Sequence, residues 1–262
     1  MSARELAGKT ALVTGASKGI GYAIASRLAA EGCNIALVAR SSDALDNAAS
    51  AISAEHSVRT IAVGADLGSE TGCNSAAERT LAQFGGLDIL VNCAGDTRAG
   101  AFPAQPDDEW ISGFALKFFG AVRLARALWP ALKQRKGTVI NIGGAAAYTP
   151  SPGFMLGGAV NAALAHVTKS LSKQGLVDDV NVNIVHPGAT VTGRMEALIT
   201  QEAAAEGISE DEVRSRNTQR AGIRRLGNPE DIAETVAFLC SPRARHIQGV
   251  GFAVDGGATP GL

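Results

Sequence analysis

Short apolar runs alternate along the whole chain with longer stretches that mix apolar and polar positions. The short runs indicate buried strands, and the longer stretches indicate helices packed against them. Strands that alternate with helices predict right-handed β-α-β crossovers, because parallel neighbours need a long return connection. The pattern therefore predicts an α/β fold with one parallel sheet of about seven strands, covered by helices on both faces.

The same pattern gives approximate boundaries for each element. The predicted strands are Thr10–Val13, Asn34–Ala39, Thr60–Gly64, Leu87–Asn92, Thr138–Ile142, Asn181–Val185 and Gly249–Val254. The predicted helices are Ile20–Ala30, Ser42–Ala54, Ser69–Phe84, Asp107–Gln134, Gly157–Lys173 and one that begins at Asn228-Pro229. Pro130 lies inside the long fourth helix and is expected to kink or break its last turns.

The stretch from Thr14 to Gly21 joins the first strand to the first helix and is rich in glycine. Gly15 permits a tight turn, Gly19 lets the backbone approach a ligand, and Gly21 lets helix and strand pack closely. The free N–H groups and the dipole of the helix start then face an anion. A strand, a glycine-rich turn and a helix in this order predict a pyrophosphate site.

Composition limits the classes of function that remain. The chain has 262 residues, 46% of them hydrophobic, which is enough for one large domain over residues 1–262. The net charge of -1 offers no basic field for nucleic acid or a membrane surface. No stretch is long and apolar enough to span a bilayer, and the first ten residues have no apolar signal core.

The four cysteines form no C-x-x-C pair, so they predict neither a metal site nor a disulfide framework. They are Cys33, Cys73, Cys93 and Cys240. We expect buried, reduced thiols and a cytoplasmic protein.

The glycine spacing is G-x-x-x-G-x-G, and with four later motifs it resembles the short-chain dehydrogenase/reductases from end to end. The later motifs are Asp66-Leu67, Asn92-Cys93-Ala94-Gly95, Pro187-Gly188 with Thr192, and Val254-Asp255-Gly256-Gly257. The resemblance implies a Rossmann-type, doubly wound sheet in three α/β/α layers that binds a nicotinamide dinucleotide. It implies cofactor contacts from Gly15, Ser17, Lys18, Gly19, Ile20, Gly21, Arg40, Asp66, Leu67, Asn92, Ala94, Gly95, Pro187, Gly188 and Thr192. Asn92 has two possible roles, bracing its strand or contacting the ribose.

The end of the second strand predicts which dinucleotide is preferred. An acidic residue there would bind the ribose 2′-hydroxyl of NAD, but the chain has Arg40 instead. A guanidinium grips a 2′-phosphate through charge-assisted bonds, and Lys18 and Ser41 add a cation and a donor nearby. We therefore expect NADP(H) in preference to NAD(H), with Arg40 as a solvated strand end as the alternative.

The catalytic residues that the resemblance implies are missing. The family uses a tyrosine, a lysine four residues later, an upstream serine, and an asparagine on the long helix before them. The two tyrosines, Tyr22 and Tyr148, are not followed by lysine at that spacing. Local matching to the family's run places Gly157 at the tyrosine position, Asn161 at the lysine, Gly144 at the serine and Lys117 at the asparagine.

Two interpretations of this site remain open. Lys117 and Tyr148 can rebuild a tyrosine–ammonium pair, with Asn161 beside them, in the same cavity. Alternatively, Lys117 extends to solvent and Tyr148 is only an aromatic wall residue. His186 is a candidate base beside the expected nicotinamide, or a residue that is simply packed.

The functions that follow are a divergent NADP(H)-dependent oxidoreductase acting on a carbonyl or alcohol, an inactive nucleotide-binding scaffold, or a non-redox enzyme using the same cleft. The segment from Thr192 to Arg225 is either a substrate flap or a solvated pair of surface helices, or both. A small, mostly apolar substrate is expected from the predicted pocket wall of Tyr148, Phe154, Met155, Ala189 and Met195. Two apolar helices, around Phe114–Leu132 and Gly157–Leu171, predict a homodimer or homotetramer.

Overall fold

The computed structural model describes residues 4–40 and 43–260. The strands are β1 Thr10–Thr14, β2 Asn34–Ala39, β3 Thr60–Gly64, β4 Ile89–Asn92, β5 Thr138–Ile142, β6 Asn181–Pro187 and β7 Gly251–Val254. The helices are α1 Gly19–Ala30, α2 Asp43–His56, α3 Glu70–Phe84, α4 Asp107–Gly113, α5 Gly120–Arg135, α6 Met155–Asp178, α7 Gly193–Glu206, α8 Glu210–Ala221 and α9 Pro229–Cys240.

All seven strands form one parallel sheet in the order β3-β2-β1-β4-β5-β6-β7. The chain winds outward from β1 through β2 to β3, and then returns to the other side of β1 at β4. The predicted doubly wound, Rossmann-type fold is therefore confirmed. The reversal between β1 and β4 opens a crevice at the carboxyl ends of these two strands, where such sheets bind ligands.

Each strand supplies side chains to two hydrophobic cores because successive residues point to opposite faces of the sheet. Val13 belongs to the core on one face, whereas the neighbouring Leu12 belongs to the core on the other face. Ile24 of α1 and Val236 of α9 fill the first core, and Leu128 of α5 fills the second. The three-layer arrangement fixes the carboxyl edge of the sheet as the rim of the site.

The long fourth helix is continuous. The break expected at Pro130 is absent. Residues Phe114–Phe119 between α4 and α5 form a π-helical turn, in which the Gly120 N–H donates to the Ala115 carbonyl. The helix then continues through Pro130 to Arg135. Proline costs only one backbone bond here, and it lies on an exposed turn where water can solvate the freed carbonyl.

The segment after β6 folds as the helix pair α7 and α8. Ion pairs join the two helices, from Arg214 to Glu196 and from Arg216 to Glu202 and Glu206. A small apolar cluster that includes Ile199, Ala203, Val213 and Leu226 lies beneath them. The helix-pair interpretation is confirmed, whereas movement of this segment as a flap stays a prediction. The helix expected at Asn228 is also confirmed, with Pro229 in its first turn.

The cysteines are all unpaired thiols, as expected. Cys33, Cys73 and Cys240 are buried and Cys93 is partly buried. Burial raises the pKa of Cys93 to about 12, so its thiol stays protonated at neutral pH. Within the described ranges, no group of three or more ligating side chains could hold a metal ion. Nor does this part of the chain contain a helix long and apolar enough to cross a membrane.

Candidate active site

The glycine-rich turn has the shape of an anion cradle. Gly15 and Gly19 have φ of 67° and 59°, the left-handed region that side chains disfavour. A Cβ on Gly21 would lie 2.3 Å from the Gly15 carbonyl oxygen, so helix and strand pack in contact there. Lys18 precedes the first turn of α1 and gives it no side-chain cap, so its N–H groups face the cleft without a side-chain partner. These residues fit a pyrophosphate.

Arg40 lies close to this turn because β1 and β2 are neighbours. The Gly15 N–H donates to the Val38 carbonyl oxygen at 2.8 Å, two residues before Arg40. Arg40 and Lys18 are both exposed, so their cations can meet an incoming phosphate. Ser41, the expected extra donor, and Ser42, the expected start of α2, lie outside the described residues.

Asp66 and Leu67 follow β3 on the outer side of Arg40. The Asp66 side chain is exposed and accepts a hydrogen bond from the Gly68 N–H at 3.0 Å, whereas Leu67 is buried against α5 and its neighbours. This hydrogen bond within the loop fixes the orientation of the Asp66 carboxylate. Leu67 therefore contributes packing through its side chain, and only its backbone remains for a ligand.

The turn after β4 packs directly against the glycine-rich turn. Thr14 Oγ1 accepts from the backbone N–H groups of Cys93 and Ala94 at 2.8 and 2.9 Å. A Cβ on Gly15 would lie 3.1 Å from the Ala94 Cα. These contacts hold the two expected cofactor segments together across the crevice between β1 and β4.

Asn92 braces the sheet, which is one of its two predicted roles. Its Nδ2 donates to Asn141 Oδ1 at 2.9 Å, and Asn141 Nδ2 donates to Thr168 Oγ1 at 2.8 Å. This buried chain of side chains joins β4, β5 and α6. It connects two parts of the cleft. We call the part with the glycine-rich turn and Arg40 the cofactor side, and the part with Lys117, Tyr148 and Gly157 the reaction side.

Beyond β6, the chain turns back toward the glycine-rich turn. A Cβ on Gly188, which follows Pro187, would lie 2.6 Å from the Asp255 Cβ, so only glycine fits against the end of β7. Thr192 caps α7, and its methyl group lies within 3.5 Å of a Cβ built on Gly19. Thr192 therefore packs directly against the glycine-rich turn.

Lys117 lies inside the cleft rather than extending to solvent. Its Nζ donates to the Gly143 carbonyl oxygen at 3.0 Å, and its stem covers Gly95, where a Cβ would lie 2.7 Å from Lys117 Cδ. The π-helical turn of Phe114–Phe119 carries this side chain. Burial lowers the pKa of the Lys117 ammonium to about 8, and the nearby Cys93 partly opposes that shift.

At two of the three remaining positions, Gly157 and Gly144, the space for a side chain is filled by a neighbour. At Gly157, where the resemblance expects a tyrosine, a Cβ would lie 2.0 Å from the Phe154 ring. At Gly144, the expected serine, a Cβ would lie 2.8 Å from Asn161 Nδ2. Asn161 itself is buried, and its Oδ1 has no hydrogen-bond partner among the described residues. The space of the missing side chains is therefore occupied by other groups of this chain.

Tyr148 pairs with His186, and not with Lys117 as the rebuilt-pair hypothesis expected. Its hydroxyl lies 3.3 Å from His186 Nε2, and the two rings meet edge to face with centroids 4.8 Å apart. The Lys117 ammonium is instead bonded to the Gly143 carbonyl. Sequence reasoning treated His186 and Tyr148 separately because they lie on a strand end and a loop whose approach only the fold decides.

The expected pocket wall divides between two places. Tyr148 and Met155 are exposed at the cleft, and Phe154 is half-buried above Gly157. Ala189 and Met195 instead pack against the small core of α7 and α8. Away from the cleft, an apolar groove of about 460 Å³ lies between α5 and α6, on the helices predicted to form a subunit contact. Its lining includes Trp129, Pro130 and Leu171.

Comparison with known sequences shows similarity over nearly the whole chain. A family profile described as Enoyl-(Acyl carrier protein) reductase matches residues 15–259. The 2,3-dihydro-2,3-dihydroxybenzoate dehydrogenase of Bacillus subtilis (strain 168) is 33% identical over 265 residues, which cover 100% of both chains. The 3-oxoacyl-[acyl-carrier-protein] reductase FabG of Aquifex aeolicus (strain VF5) is 32% identical, covering 97% of this chain and 98% of the relative.

Solved structures share the fold just as completely. L-sorbose reductase from Gluconobacter frateurii, complexed with NADPH and L-sorbose, is 33% identical, with a TM-score of 0.96 over 99% of this chain and 100% of that one. A short chain dehydrogenase from Burkholderia cenocepacia in complex with NADP is 34% identical, with a TM-score of 0.87 over 98% and 100% of the two chains.

Proposed function

The chain belongs to the short-chain dehydrogenase/reductase family, and from that premise we propose a divergent, NADP(H)-dependent oxidoreductase. It would transfer a hydride between the nicotinamide and a carbonyl or alcohol carbon, without the side chains that the family usually uses. The observation that carries the proposal is the ammonium of Lys117 inside the cleft, between Gly95 and Gly143, at the edge where the cofactor segments meet.

The preference for NADP(H) rests on the cations beside the glycine-rich turn. Arg40 and Lys18 are exposed there, and Arg40 takes the place of the acidic residue that would bind an unphosphorylated ribose. Two structural neighbours were solved with NADPH or NADP, which supports the same choice for this chain. Bound cofactor would supply or accept the hydride, while the residues of this chain position the substrate and handle the proton.

We assign distinct tasks to the three polar side chains of the reaction side. Tyr148 would exchange the proton with the substrate oxygen, because it is the exposed phenol beside Gly144, the expected serine position. Lys117 would supply positive charge near the developing oxyanion and the ribose. Asn161, whose buried Oδ1 has no described partner, would accept a hydrogen bond from a ligand hydroxyl. Phe154 and Met155 favour a small, mostly apolar substrate.

An inactive, nucleotide-binding scaffold is the second candidate. The observation that favours it is the Phe154 ring against Gly157, which fills the space of the usual catalytic tyrosine. A scaffold of this kind would bind NADP(H) with little or no turnover. A non-redox enzyme that uses the same cleft would instead turn over its substrate without any change in cofactor absorbance.

The test combines cofactor binding with turnover. Calorimetric titration with NADPH and NADH should show tighter binding of NADPH, and Arg40→Ala should weaken NADPH by about 10- to 100-fold, as expected for lost charge-assisted bonds. Arg59→Ala is the matched control. Arg59 is an exposed cation just before β3, at the amino ends of the strands, whereas Arg40 lies at their carboxyl ends. Oxidation of NADPH by a panel of aldehydes and ketones then separates the enzyme from the scaffold.

We also propose a homo-oligomer and a cytoplasmic location. The apolar groove between α5 and α6 would be covered by the same helices of a second subunit, which supports a homodimer or homotetramer. The four unpaired cysteines support a reducing compartment. Sedimentation of the purified protein tests the first proposal, and a monomer at micromolar concentration would contradict it.

A further inference from the structure

His186 lies at the end of β6 and is completely buried, yet both nitrogens of its ring have polar neighbours. Nδ1 lies 3.1 Å from the Gly144 carbonyl oxygen and 3.3 Å from the Gly144 nitrogen. Nε2 lies 3.3 Å from the Tyr148 hydroxyl. A buried imidazole needs a partner for each ring nitrogen, and His186 finds both in the loop after β5, so the ring fixes that loop relative to β6.

Two glycines make room for this pair. A Cβ on Gly143 would lie 2.7 Å from His186 Nδ1. A Cβ on Gly251, in β7, would lie 3.0 Å from the Tyr148 hydroxyl and 3.4 Å from His186 Nε2. A side chain at either position would push the imidazole or the phenol away. The end of β5 and the edge strand β7 are therefore shaped around the His186–Tyr148 contact.

The imidazole is neutral at physiological pH. Burial lowers its pKa below the ordinary value, the hydrogen bond to Gly144 opposes this, and the nearby Lys117 adds to the lowering. A neutral imidazole has one donor and one acceptor. The two tautomers reverse both contacts. With the proton on Nδ1, the ring donates to the Gly144 carbonyl oxygen at 3.1 Å and accepts from the Tyr148 hydroxyl, whereas with the proton on Nε2, Nδ1 accepts from the Gly144 N–H at 3.3 Å and Nε2 donates to the Tyr148 oxygen. The orientation proposed for Tyr148 requires the second tautomer. The phenol proton is then free to point at a ligand.

We propose that His186 is a positioning residue that orients the Tyr148 hydroxyl as the proton donor to the substrate oxygen. The inference rests on the proposed function, because it concerns the same cleft and the same hydride transfer. In the reducing direction, a bound reduced nicotinamide would supply the hydride to the carbonyl carbon. The Tyr148 O–H bond would break and its proton would pass to the carbonyl oxygen. The N–H of His186 stabilises the phenolate that remains, and solvent returns the proton because Tyr148 is 53% exposed.

Two amide variants test the two ring nitrogens of His186 separately. Glutamine at position 186 places an amide nitrogen near Nε2 and can still donate to Tyr148, whereas asparagine reaches only as far as Nδ1. We expect His186→Asn to lower kcat about 10- to 100-fold, at the lower end of the range for a positioned acid–base group. KM and the NADPH affinity should stay within about threefold, since this contact would matter only as the proton moves. His186→Gln should recover most of kcat.

A double-mutant cycle tests whether His186 acts through Tyr148. Tyr148→Phe should lower kcat at least as much as His186→Asn, and the double variant should be no slower than Tyr148→Phe alone. Additive losses would overturn the proposal, and so would equal losses in the asparagine and glutamine variants. Gly251→Ala is the second perturbation if the His186 variants do not fold. It lies on an exposed edge strand, leaves His186 in place, and should lower kcat several-fold by displacing the hydroxyl.

One readout is independent of turnover. The ring ¹⁵N resonances of His186 should show a protonated Nε2, and Tyr148→Phe should shift that resonance. No shift would overturn the pairing whether or not a substrate is known. If wild-type protein binds NADPH but reduces no carbonyl, the proposed function fails and this proposal fails with it. If wild-type protein reduces a carbonyl and Tyr148→Phe is equally active, only the present proposal fails.

Discussion

The two sides of the cleft use glycine in opposite ways. On the cofactor side, Gly15 and Gly19 take the positive φ of a tight turn, and Gly21 lets the helix pack against the Gly15 carbonyl. On the reaction side, the space beside Gly143 and Gly157 is filled by His186 and Phe154. The first set of glycines lets backbone turn and pack on backbone, whereas the second leaves room for the protein's own side chains.

The glycines of the reaction side are packed together with the side chains beside them. Each missing side chain has a neighbour in its place, as Asn161 is beside Gly144 and Phe154 beside Gly157. Restoring one usual residue alone should therefore do harm rather than bring activity back.

The largest expected effect is on the cofactor side, in Gly21→Ala. The new Cβ would meet the Gly15 carbonyl at 2.3 Å, and that backbone cannot yield without opening the turn. We expect a loss of about 3 kcal/mol in the free energy of unfolding and at least about a tenfold loss of NADPH affinity. Urea denaturation and calorimetry measure the two. Gly193→Ala, with no atom within 4 Å of its Cβ, is the control.

Gly157→Tyr should be next, and it tests the reaction side directly. Its Cβ would overlap the Phe154 ring, so we expect a loss of about 2 kcal/mol in unfolding free energy and no gain in activity. The double variant with Phe154→Ala should recover part of that stability. Gly153→Ala serves as the control, since its Cβ meets open space. If Gly157→Tyr is as stable as wild type, Phe154 moves aside easily. That result would contradict the statement that Phe154 fills the space beside Gly157.

Lys117→Met should produce a stability difference that depends on pH. The folded chain binds the Lys117 proton only up to about pH 8, whereas the unfolded chain keeps it to about 10.5. Wild-type stability therefore gains from this group as pH rises through that window, and the burial penalty is fully present below pH 8. The stability of Lys117→Met relative to wild type should fall by about 1–2 kcal/mol between pH 7 and 10. Urea denaturation at both values measures it.

Lys173→Met, at an exposed lysine, controls for the general loss of a cation in this experiment. A difference between Lys117→Met and wild type that is the same at pH 7 and pH 10 would contradict the burial of the Lys117 ammonium. It would then favour the interpretation in which this side chain extends to solvent.

The smallest expected effect is in the polar chain that joins the two sides. Thr168→Val keeps the shape of the side chain but removes the acceptor of the Asn141 amide, so unfolding should become easier by about 1 kcal/mol. NADPH affinity should not change by more than about twofold, because Thr168 lies beyond Asn141 and Asn92 from the cofactor side. Ser170→Ala, exposed on the same helix, is the control. A large loss of NADPH affinity would show that the two sides are coupled.

Local sequence determined the sheet, its helices and the glycine-rich turn. Periodicity and glycine spacing depend on neighbours in the chain, so the sequence alone was enough to assign Gly15, Gly19 and Gly21 to a turn. The boundaries were less accurate, and the helix predicted as Gly157–Lys173 spans Met155–Asp178. The sequence predicts a kink or a break at Pro130, and the helix does not break there. Exposure, which local sequence does not report, decides how much the missing backbone bond costs.

The reaction side depended on tertiary structure for a physical reason. The sequence established that no Y-x-x-x-K is present and that Lys117 and Tyr148 were candidates. It could not show that Lys117 bonds to Gly143 or that Tyr148 meets His186, since these contacts join residues 26 and 38 positions apart. Side-chain direction on a packed helix or a loop is set by the volumes around it. Local sequence thus determines the type and order of the elements. The partners of Lys117, Tyr148 and Asn161 depend on tertiary packing, which brings distant segments of the chain together around them.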